Sequence, residues 1–293
     1  MKYSDLENML FEDLSWRKSE LSSLFDIAFN TKKSLSKSND QDDTLYKTVI
    51  KTLYLLLYSH WEGYIKKTCK IYLTYINHLN IKTCDLTNNF SALILKKSIN
   101  NCYSKEIQES LSIDIYLNFV DLHSSKLNER FKVEVKIDND FDDGFIKTFS
   151  NLNYKNYKNL INSIDLPFPE YFYDANNFIN ILDVNNKNQE VELLKELLDF
   201  KLLQYRHSIA HGGSFSLDLD LDLYENLQTK ILYLMDMHCK NIQDYCYNSY
   251  FEKNKNIEKK QYLVSNNLAV KNYFDGLKAS LLIPDEEFLA DHI

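Results

Sequence analysis

The stretch TLYLLLYSHWEGYIKKTCKIYLTYI, from Thr52 to Ile76, decides the fold class, because it is apolar on most of the circumference of a helix. It lies inside a longer predicted helix from about Leu45 to His78. A helix that is buried on most sides lies at the centre of a bundle. Its longest aliphatic and aromatic run, Leu53 to Tyr58, is far shorter than the ~20 residues that span a bilayer. We therefore predict the central helix of a helical bundle.

Glycine and proline are scarce, with 5 glycines and 3 prolines among 293 residues. Sandwiches and barrels need both residue types at their turns, so this composition excludes them and favours an all-α fold. Neither G-x-G-x-x-G nor G-x-x-x-x-G-K-[ST] occurs, and a nucleotide-modifying enzyme would need a nucleotide pocket that no such loop provides here.

Helical periodicity predicts further helices on both sides of the central one. They run over about Asp5–Ser34, Phe90–Asn101, Lys105–Leu127, Tyr154–Ile164, Asp174–Leu182, Glu190–Ala210 and Tyr224–Asn248. We expect a single helical domain over residues 1–250, followed by a C-terminal basic linker and amphipathic helical tail over residues 251–293.

Two segments break the helical pattern by alternating apolar and charged residues. They are FKVEVKI, from Phe131 to Ile137, and SLDLDLDL, from Ser216 to Leu223. Strict alternation is typical of half-buried strands. Because one segment carries lysine and the other aspartate, pairing between them would be electrostatically favourable. The sequence thus predicts a small β-hairpin appendage on the bundle.

Charge and cysteine content indicate where the protein works. The formal net charge is −8, whereas proteins that coat duplex nucleic acid are normally basic, so any nucleic-acid contact must be local to a cleft. The same acidity argues against adhesion to an anionic membrane. The first twenty residues hold no apolar signal-peptide core, and the cysteines show no C-x-x-C spacing. We expect a cytoplasmic protein with reduced thiols and no membrane partner.

The segment from Glu190 to Gly213, EVELLKELLDFKLLQYRHSIAHGG, carries the candidate chemistry. Arg206 lies about 40° from Leu202, at the border of a core-facing stripe, and His211 lies about 140° from Arg206 around a straight helix. The glycines at 212 and 213 predict that the helix ends directly after His211. Arg206 and His211 can meet only if the helix ends or distorts there, or if a second copy supplies the partner.

Two structural interpretations of this segment stay open. The cations could cap the C-terminal end of the helix, where they interact favourably with its dipole. His207 and His211 are also one turn apart, a spacing that metal ligands use. The zinc-protease pattern H-E-x-x-H needs a glutamate where this chain has Ser208, so we expect no metal and no other cofactor.

Three blocks of sequence resemble the HEPN-domain ribonucleases. Residues 206–211 (RHSIAH) resemble their R-x4–6-H signature, which favours a polar residue after the arginine; many members have asparagine where this chain has His207. Residues 59–64 (SHWEGY) resemble the HWEG stretch of the MAE_28990/MAE_18760-like HEPN nucleases. Residues 150–153 (SNLN), ahead of a predicted helix, also resemble that branch. The resemblance covers roughly residues 16–248.

The resemblance implies an all-α HEPN-like helical bundle that acts as a homodimer. It also implies metal-independent cleavage of single-stranded RNA through attack of the 2′-OH on phosphorus. Arg206 would hold the phosphate and His211 would transfer a proton, roles that suit a guanidinium and an imidazole. His207 could assist proton transfer or bind phosphate, and Glu62 could pair with Arg206 or orient a histidine.

Such proteins resemble toxins or effectors of toxin–antitoxin and antiviral defence systems, so an antitoxin or another regulatory partner is expected. The alternative is a non-catalytic HEPN-like module for dimerisation or for binding RNA or protein. Local alternatives also stay open on the central helix. His60 and Glu62 could form a solvated notch, and Gly63 could admit a neighbouring helix. The lysines that follow, Lys66, Lys67 and Lys70, could track an RNA strand or form a solvated face.

Overall fold

The computed structural model describes residues 1–35, 44–102, 113–138, 145–148, 151–169, 172–174, 190–211 and 220–281. The chain forms two compact units. The first comprises Met1–Phe168 and Lys195–Lys255, and the second comprises Pro169–Leu194 and Asn256–Ile293. The division into a domain over residues 1–250 and a tail over residues 251–293 stays a prediction.

Helices build the first unit, which confirms the all-α fold class. The long helices, which fall close to their predicted positions, are α1 (Tyr3–Leu35), α2 (Thr44–Leu79), α3 (Asn88–Cys102), α4 (Ile113–Asn128), α5 (Tyr154–Ser163) and α8 (Leu221–Asn248). Single 3-10 turns lie at Thr83–Asp85 and Lys253–Lys255. Within the described residues, no helix is long and apolar enough to cross a membrane.

Helix α2 is the centre of the first unit, as its apolar circumference predicts. Helices α1 and α8 both pack against it. Trp61, Tyr64 and Tyr72 of α2 have no exposed surface at all. The Trp61 ring meets the ring of Tyr157 of α5 edge-on, with the ring centres 5.0 Å apart. Such aromatic contacts supply much of the energy of a core.

Polar side chains and backbone geometry set the helix ends. The Asn153 side chain accepts the N–H of Asn156 at 2.8 Å and so caps the start of α5. Asp220 accepts the N–H of Leu221 at 2.8 Å at the start of α8. Ser249 ends α8 in the left-handed conformation, with φ of 55°. Each cap satisfies backbone groups that the helix itself leaves without partners.

The strand predicted over residues 131–137 is wrong. The side chain of Asn77, on α2, takes the place of a partner strand: its Nδ2 donates to the Val133 carbonyl at 2.7 Å, and its Oδ1 accepts the Val133 N–H at 3.0 Å. The N–H of Phe131 donates to the Ile81 carbonyl at 2.8 Å. The alternating pattern therefore records that Phe131 and Val133 are buried, at 1% and 3% exposure, beside the end of α2.

The second predicted strand is also wrong where the structure describes it. Residues 221–223 form the first turn of α8, while residues 216–219 lie outside the described residues. Leu221 is buried and Leu223 is exposed. Leu221 and Leu223 therefore belong to the first turn of a helix, and their alternation with aspartate does not indicate a strand.

The second unit contains a two-stranded antiparallel sheet of β1 (Phe172–Asp174) and β2 (Glu190–Glu192), with Tyr173 opposite Val191. It also contains α9 (Asn256–Leu281). A helix was expected over residues 174–182, but Asp174 belongs to β1 and residues 175–182 lie outside the described residues. A small two-stranded element thus exists, formed by different residues from those that the alternating pattern predicts.

Candidate active site on helix α7

The predicted helix over residues 190–210 has three parts after β2. A short α6 (Leu193–Lys195) leads into a π-helix (Glu196–Leu203), which continues directly as α7 (Gln204–Ala210). The π-helix and α7 both contact α2. A π-helix bonds each N–H one residue farther back than an α-helix does, and such segments occur frequently at functional sites. The angles of a straight α-helix, with 100° per residue, therefore do not describe which residues face the core in the π-helix.

Helix α7 ends where the sequence predicts. His211 follows the last helical residue and leaves the helical conformation, with φ of −95° and ψ of 7°. Its N–H still donates to the His207 carbonyl at 3.0 Å. Residues 212 and 213, the two glycines that predict this end, lie outside the described residues.

Helix α7 meets α2 through two consecutive residues. The ring of Tyr205 stacks on the ring of Tyr54, with centres 4.7 Å apart and planes 22° apart. The guanidinium carbon of Arg206 lies over the ring of Tyr58, 5.3 Å from its centre. Since Tyr54 and Tyr58 are one turn apart on α2, the two contacts fix the rotation of α7 relative to α2. Arg206 is left half-buried at this contact.

The two histidines of α7 lie together. The rings of His207 and His211 are parallel within 9°, with centres 5.8 Å apart. Their position on one face follows from their spacing of one turn. His207 is half-buried and His211 is exposed. Burial lowers the pKa of His207, and the nearby charges of Arg206 and His211 lower it further. At neutral pH His207 is therefore mainly the uncharged base.

Glu62 lies one turn after Tyr58 on α2 and takes part in the same arrangement. One of its carboxylate oxygens accepts the Thr148 hydroxyl at 2.5 Å and lies 3.5 Å from Nζ of Lys66. Burial raises the pKa of Tyr58, and the charge of Glu62 and a hydrogen bond with it raise that pKa further. Glu62 thus bonds the hydroxyl of the tyrosine whose ring face lies under Arg206. Whether Glu62 acts in catalysis stays a prediction.

His60 belongs to a different cluster, on the side of α2 that faces α1. Its Nδ1 lies 3.3 Å from Nη1 of Arg17, and its Nε2 lies 3.1 Å from the carboxylate of Glu20. Burial lowers the pKa of His60, and the charge of Arg17 lowers it further. His60 is only 3% exposed, so the solvated notch is the wrong interpretation for this residue. The space beside Gly63 is occupied by the Arg17 guanidinium, a side chain of the neighbouring helix.

The lysines after Glu62 do not form a solvated face. Lys70 is 1% exposed. Nζ of Lys67 lies 2.9 Å from Asp13, and Lys66 pairs with Glu62, as described above. The interpretation as a solvated face is therefore wrong, because Lys70 is buried and Lys66 and Lys67 are half-buried and paired with carboxylates.

Sequence reasoning missed Tyr58 as a residue of this site. One signal was present, since Tyr58 precedes Glu62 by one turn and so lies on the same face of α2. Its contact with Arg206 joins distant parts of the chain and leaves no local pattern. The SNLN block contributes Leu152, whose N–H donates to the Tyr58 hydroxyl at 2.8 Å. In the part of the chain that the structure describes, no three His, Cys, Asp or Glu side chains form a group that could hold a metal ion.

Comparison with known proteins agrees with the resemblance noted in the sequence. The sequence model of the MAE_28990-like HEPN family matches residues 6–251, and the chain therefore belongs to this HEPN family. No curated protein and no solved structure matches it. Membership makes a nuclease-like or RNA-binding activity the expected class of function.

Proposed function

We propose that this protein is a metal-independent endoribonuclease that cleaves single-stranded RNA. The observation that carries the proposal is the C-terminal end of α7, where a chain of the HEPN family holds Arg206 and His207 in the helix and His211 directly after it. This segment combines a permanent cation with two imidazole side chains, the set that phosphodiester cleavage by an internal hydroxyl requires.

In this proposal, Arg206 binds the phosphate at the cleaved bond. A guanidinium offers a planar pair of donors to phosphate oxygens and stays charged at any physiological pH. Arg206 is half-buried and rests on the Tyr58 ring, so little of its side-chain freedom would be lost when a phosphate binds. Its charge would stabilise the negative charge that develops on the phosphorane.

The histidines transfer the protons. As the 2′-oxygen forms its bond to phosphorus, a neutral imidazole accepts the 2′-hydroxyl proton. As the bond from phosphorus to the 5′-oxygen breaks, an imidazolium donates a proton to that oxygen. The products are a 2′,3′-cyclic phosphate and a 5′-hydroxyl. The lowered pKa of His207 suits the acceptor, and exposed His211 suits the donor.

The proposed active unit is a homodimer. On a straight helix, residues five apart such as Arg206 and His211 would point about 140° apart, and one copy would not aim both at one phosphate. Two copies with their α7 ends facing each other would place the arginine of one beside the histidine of the other. This arrangement would also concentrate positive charge in one cleft of a chain whose formal net charge is −8.

The test is cleavage of single-stranded RNA by purified protein in EDTA. We expect Arg206→Ala and His211→Ala each to lower the rate by about 100-fold or more. Arg130→Ala and His78→Ala, at exposed positions, are the matched controls and should cleave normally. An RNA with a single 2′-deoxyribose at the cleavage site should stay intact there. RNA that is bound but never cut would favour the non-catalytic module, and cleavage that survives both α7 variants would exclude this site.

Mixed dimers test the shared site. When Arg206→Ala and His211→Ala proteins are unfolded and refolded together, one of the two sites in a mixed dimer receives an intact arginine and an intact histidine from different copies. We expect partial recovery of cleavage, which neither protein shows alone. If mixing restores nothing although mixed dimers form, each site takes both residues from one chain.

We further propose that the protein acts as a toxin or effector in a toxin–antitoxin or antiviral defence system, kept inactive by an antitoxin or another regulatory partner. Its expression in bacteria without that partner should arrest growth, and the Arg206→Ala and His211→Ala variants should be tolerated at equal protein levels. Equal toxicity of the wild-type protein and both variants would contradict this role.

A further inference from the structure

The α7 site includes one contact that the R-x4–6-H signature does not describe, between Arg206 and Tyr58. Arg206 is one of only three arginines in the chain, with Arg17 and Arg130. Its guanidinium carbon lies 5.3 Å from the centre of the Tyr58 ring, within the ~6 Å at which a cation is attracted to an aromatic face. Among the described residues, no carboxylate is in ion-pair contact with Arg206, so the ring is the group that supports it.

The Tyr58 ring is itself fixed at its far end. The side chain is buried, with 3% of the residue exposed. Its hydroxyl oxygen accepts the N–H of Leu152 at 2.8 Å, and the hydroxyl also bonds Glu62. A ring held by burial, by a backbone donor and by a carboxylate has few ways to move. The Arg206 guanidinium, which contacts the face of this ring, is therefore restricted as well.

Glu62 is in turn held by other residues. It accepts the Thr148 hydroxyl and pairs with Lys66, and its side chain is only 18% exposed. Glu62 and Arg206 thus both contact Tyr58, and within the described residues no carboxylate takes the guanidinium donors, which can then serve a phosphate. A direct ion pair with Glu62 would have used the same donors.

We infer that Tyr58 is a positioning residue of the α7 site, which holds the Arg206 guanidinium by the face of its ring in the orientation that binds phosphate. The catalytic role of this contact rests on the proposed ribonuclease function, since only a phosphate-binding arginine needs such placement. The contact between the two side chains can be tested without any substrate.

The first experiment reads the contact by NMR of arginine Nε–H groups. Only three signals are expected, and Arg206→Lys identifies the one that belongs to Arg206. In the wild type the Tyr58 ring current should shift this signal upfield. The shift should persist in Tyr58→Phe and disappear in Tyr58→Leu. An Arg206 signal that is the same in the wild type and in Tyr58→Leu would overturn the inference.

The matched control is Tyr54→Phe. Tyr54 lies one turn before Tyr58 and stacks on Tyr205, next to Arg206. Its hydroxyl is buried and has no hydrogen-bond partner among the described residues, so its removal should disturb nothing. The Arg206 signal should be unchanged in this variant.

The second experiment measures cleavage in a double-mutant cycle. Tyr58→Leu should lower kcat/KM for single-stranded RNA by about 10-fold, between the effect of an exposed and that of a desolvated cation–π contact, because Arg206 is half-buried. In an Arg206→Ala background, Tyr58→Leu should cause no further loss, because the residue that it positions is absent. Independent effects that multiply would overturn the inference.

Fluorinated phenylalanines at position 58 keep the test usable if Tyr58→Leu does not fold. Each added fluorine weakens the attraction of the ring for a cation and leaves its shape nearly unchanged. Relative to Tyr58→Phe, kcat/KM should fall stepwise with fluorine number, and equal values across the series would overturn the inference. If no variant or wild-type protein cleaves RNA while the Arg206 signal still depends on Tyr58, the proposed function fails and the contact stands.

Discussion

A β-carbon placed on Gly63 would lie 3.1 Å from Nη1 and 3.4 Å from Nη2 of Arg17. The guanidinium that fills this space is held on its other sides: its Nε donates to Asp13 at 2.8 Å, and its Nη1 donates to the carbonyl of His60 at 3.4 Å. Asp13 and Arg17 are both buried. The glycine therefore admits one half of a buried ion pair against the backbone of the central helix.

Gly63→Ala should lower the free energy of unfolding by about 1 kcal/mol or more, although alanine has the higher helix propensity. The propensity gain is about 1 kcal/mol. A β-carbon 3.1 Å from Nη1 requires the guanidinium to shift by a few tenths of an ångström against its bonds to Asp13 and to the His60 carbonyl, and weakening the bonds of a buried charge costs more than that gain. Urea unfolding followed by circular dichroism measures the difference.

Gly276→Ala is the matched control for this prediction. Gly276 lies on α9 with no heavy atom within 4 Å of a built β-carbon, so this substitution should be neutral or stabilising. In an Arg17→Met background Gly63→Ala should also become neutral or stabilising, because a flexible thioether can yield. A Gly63→Ala protein as stable as Gly276→Ala would show that Arg17 does not constrain the glycine.

The central helix and the end of α7 could be predicted because their causes are local. Because residues 52–76 form a helix that is apolar on most of its circumference, this helix must lie in the core. The glycines after His211 predict a helix end, and α7 ends at Ala210. The proximity of the His207 and His211 rings follows from their spacing of one turn. Each of these features is determined by residues that are close together in the sequence.

The π-helix and the tyrosine under Arg206 could not be predicted in the same way. Residues 197, 198, 202 and 203 are all leucines, so the apolar pattern does not distinguish the hydrogen-bond period of an α-helix from that of a π-helix. The contact of Arg206 with Tyr58 joins α7 to α2, and only the tertiary fold creates it. The burial of His60 likewise depends on Arg17 of another helix.

Asn77→Ala should release the segment that begins at Phe131. It removes the side chain that pairs with both backbone groups of Val133, leaving a donor and an acceptor beside the core without partners. We expect the free energy of unfolding to fall by about 1–3 kcal/mol. Hydrogen exchange at the Val133 amide should also accelerate.

Asn77→Asp serves as the comparison, because its carboxylate still accepts the Val133 N–H but cannot donate to the Val133 carbonyl. Amide exchange at Val133 should stay slow in this variant, and the loss of stability should be smaller than in Asn77→Ala. Equal protection of Val133 in all three proteins would mean that the asparagine does not hold this segment.

His238 should make the fold sensitive to acid. Burial lowers its pKa to about 3. Its Nε2 lies 3.0 Å from the hydroxyl oxygen of Thr68, which itself donates to the Tyr64 carbonyl. His238 therefore donates as a neutral imidazole. The unfolded chain takes up a proton below about pH 6.5 and the folded chain does not, so stability is full above that pH and is lost as the pH falls toward 3.

Between pH 6.5 and 5, this one histidine should lower the free energy of unfolding by about 2 kcal/mol. Urea unfolding at a series of pH values measures the slope, to which His60 adds in the same direction because its pKa is also lowered. His238→Gln should flatten the slope by about 1.4 kcal/mol per pH unit. An unchanged slope in that variant would mean that His238 is already charged in the folded protein.

His207 provides a test of the electrostatics of the candidate site itself. Burial, Arg206 and His211 lower its pKa in that order, so it should titrate below the ordinary value of about 6.5 in an NMR titration of the seven histidines. Arg206→Met removes a permanent positive charge and should raise the pKa of His207, although burial still keeps it below the ordinary value. His60, which lies beside Arg17 and Glu20 on the side of α2 that faces α1, is the control, and its pKa should be the same in both proteins. If the pKa of His207 does not respond to Arg206→Met, the two residues do not interact electrostatically. That result would contradict the proposed chemistry, which needs phosphate binding by Arg206 and proton transfer by His207 at one place.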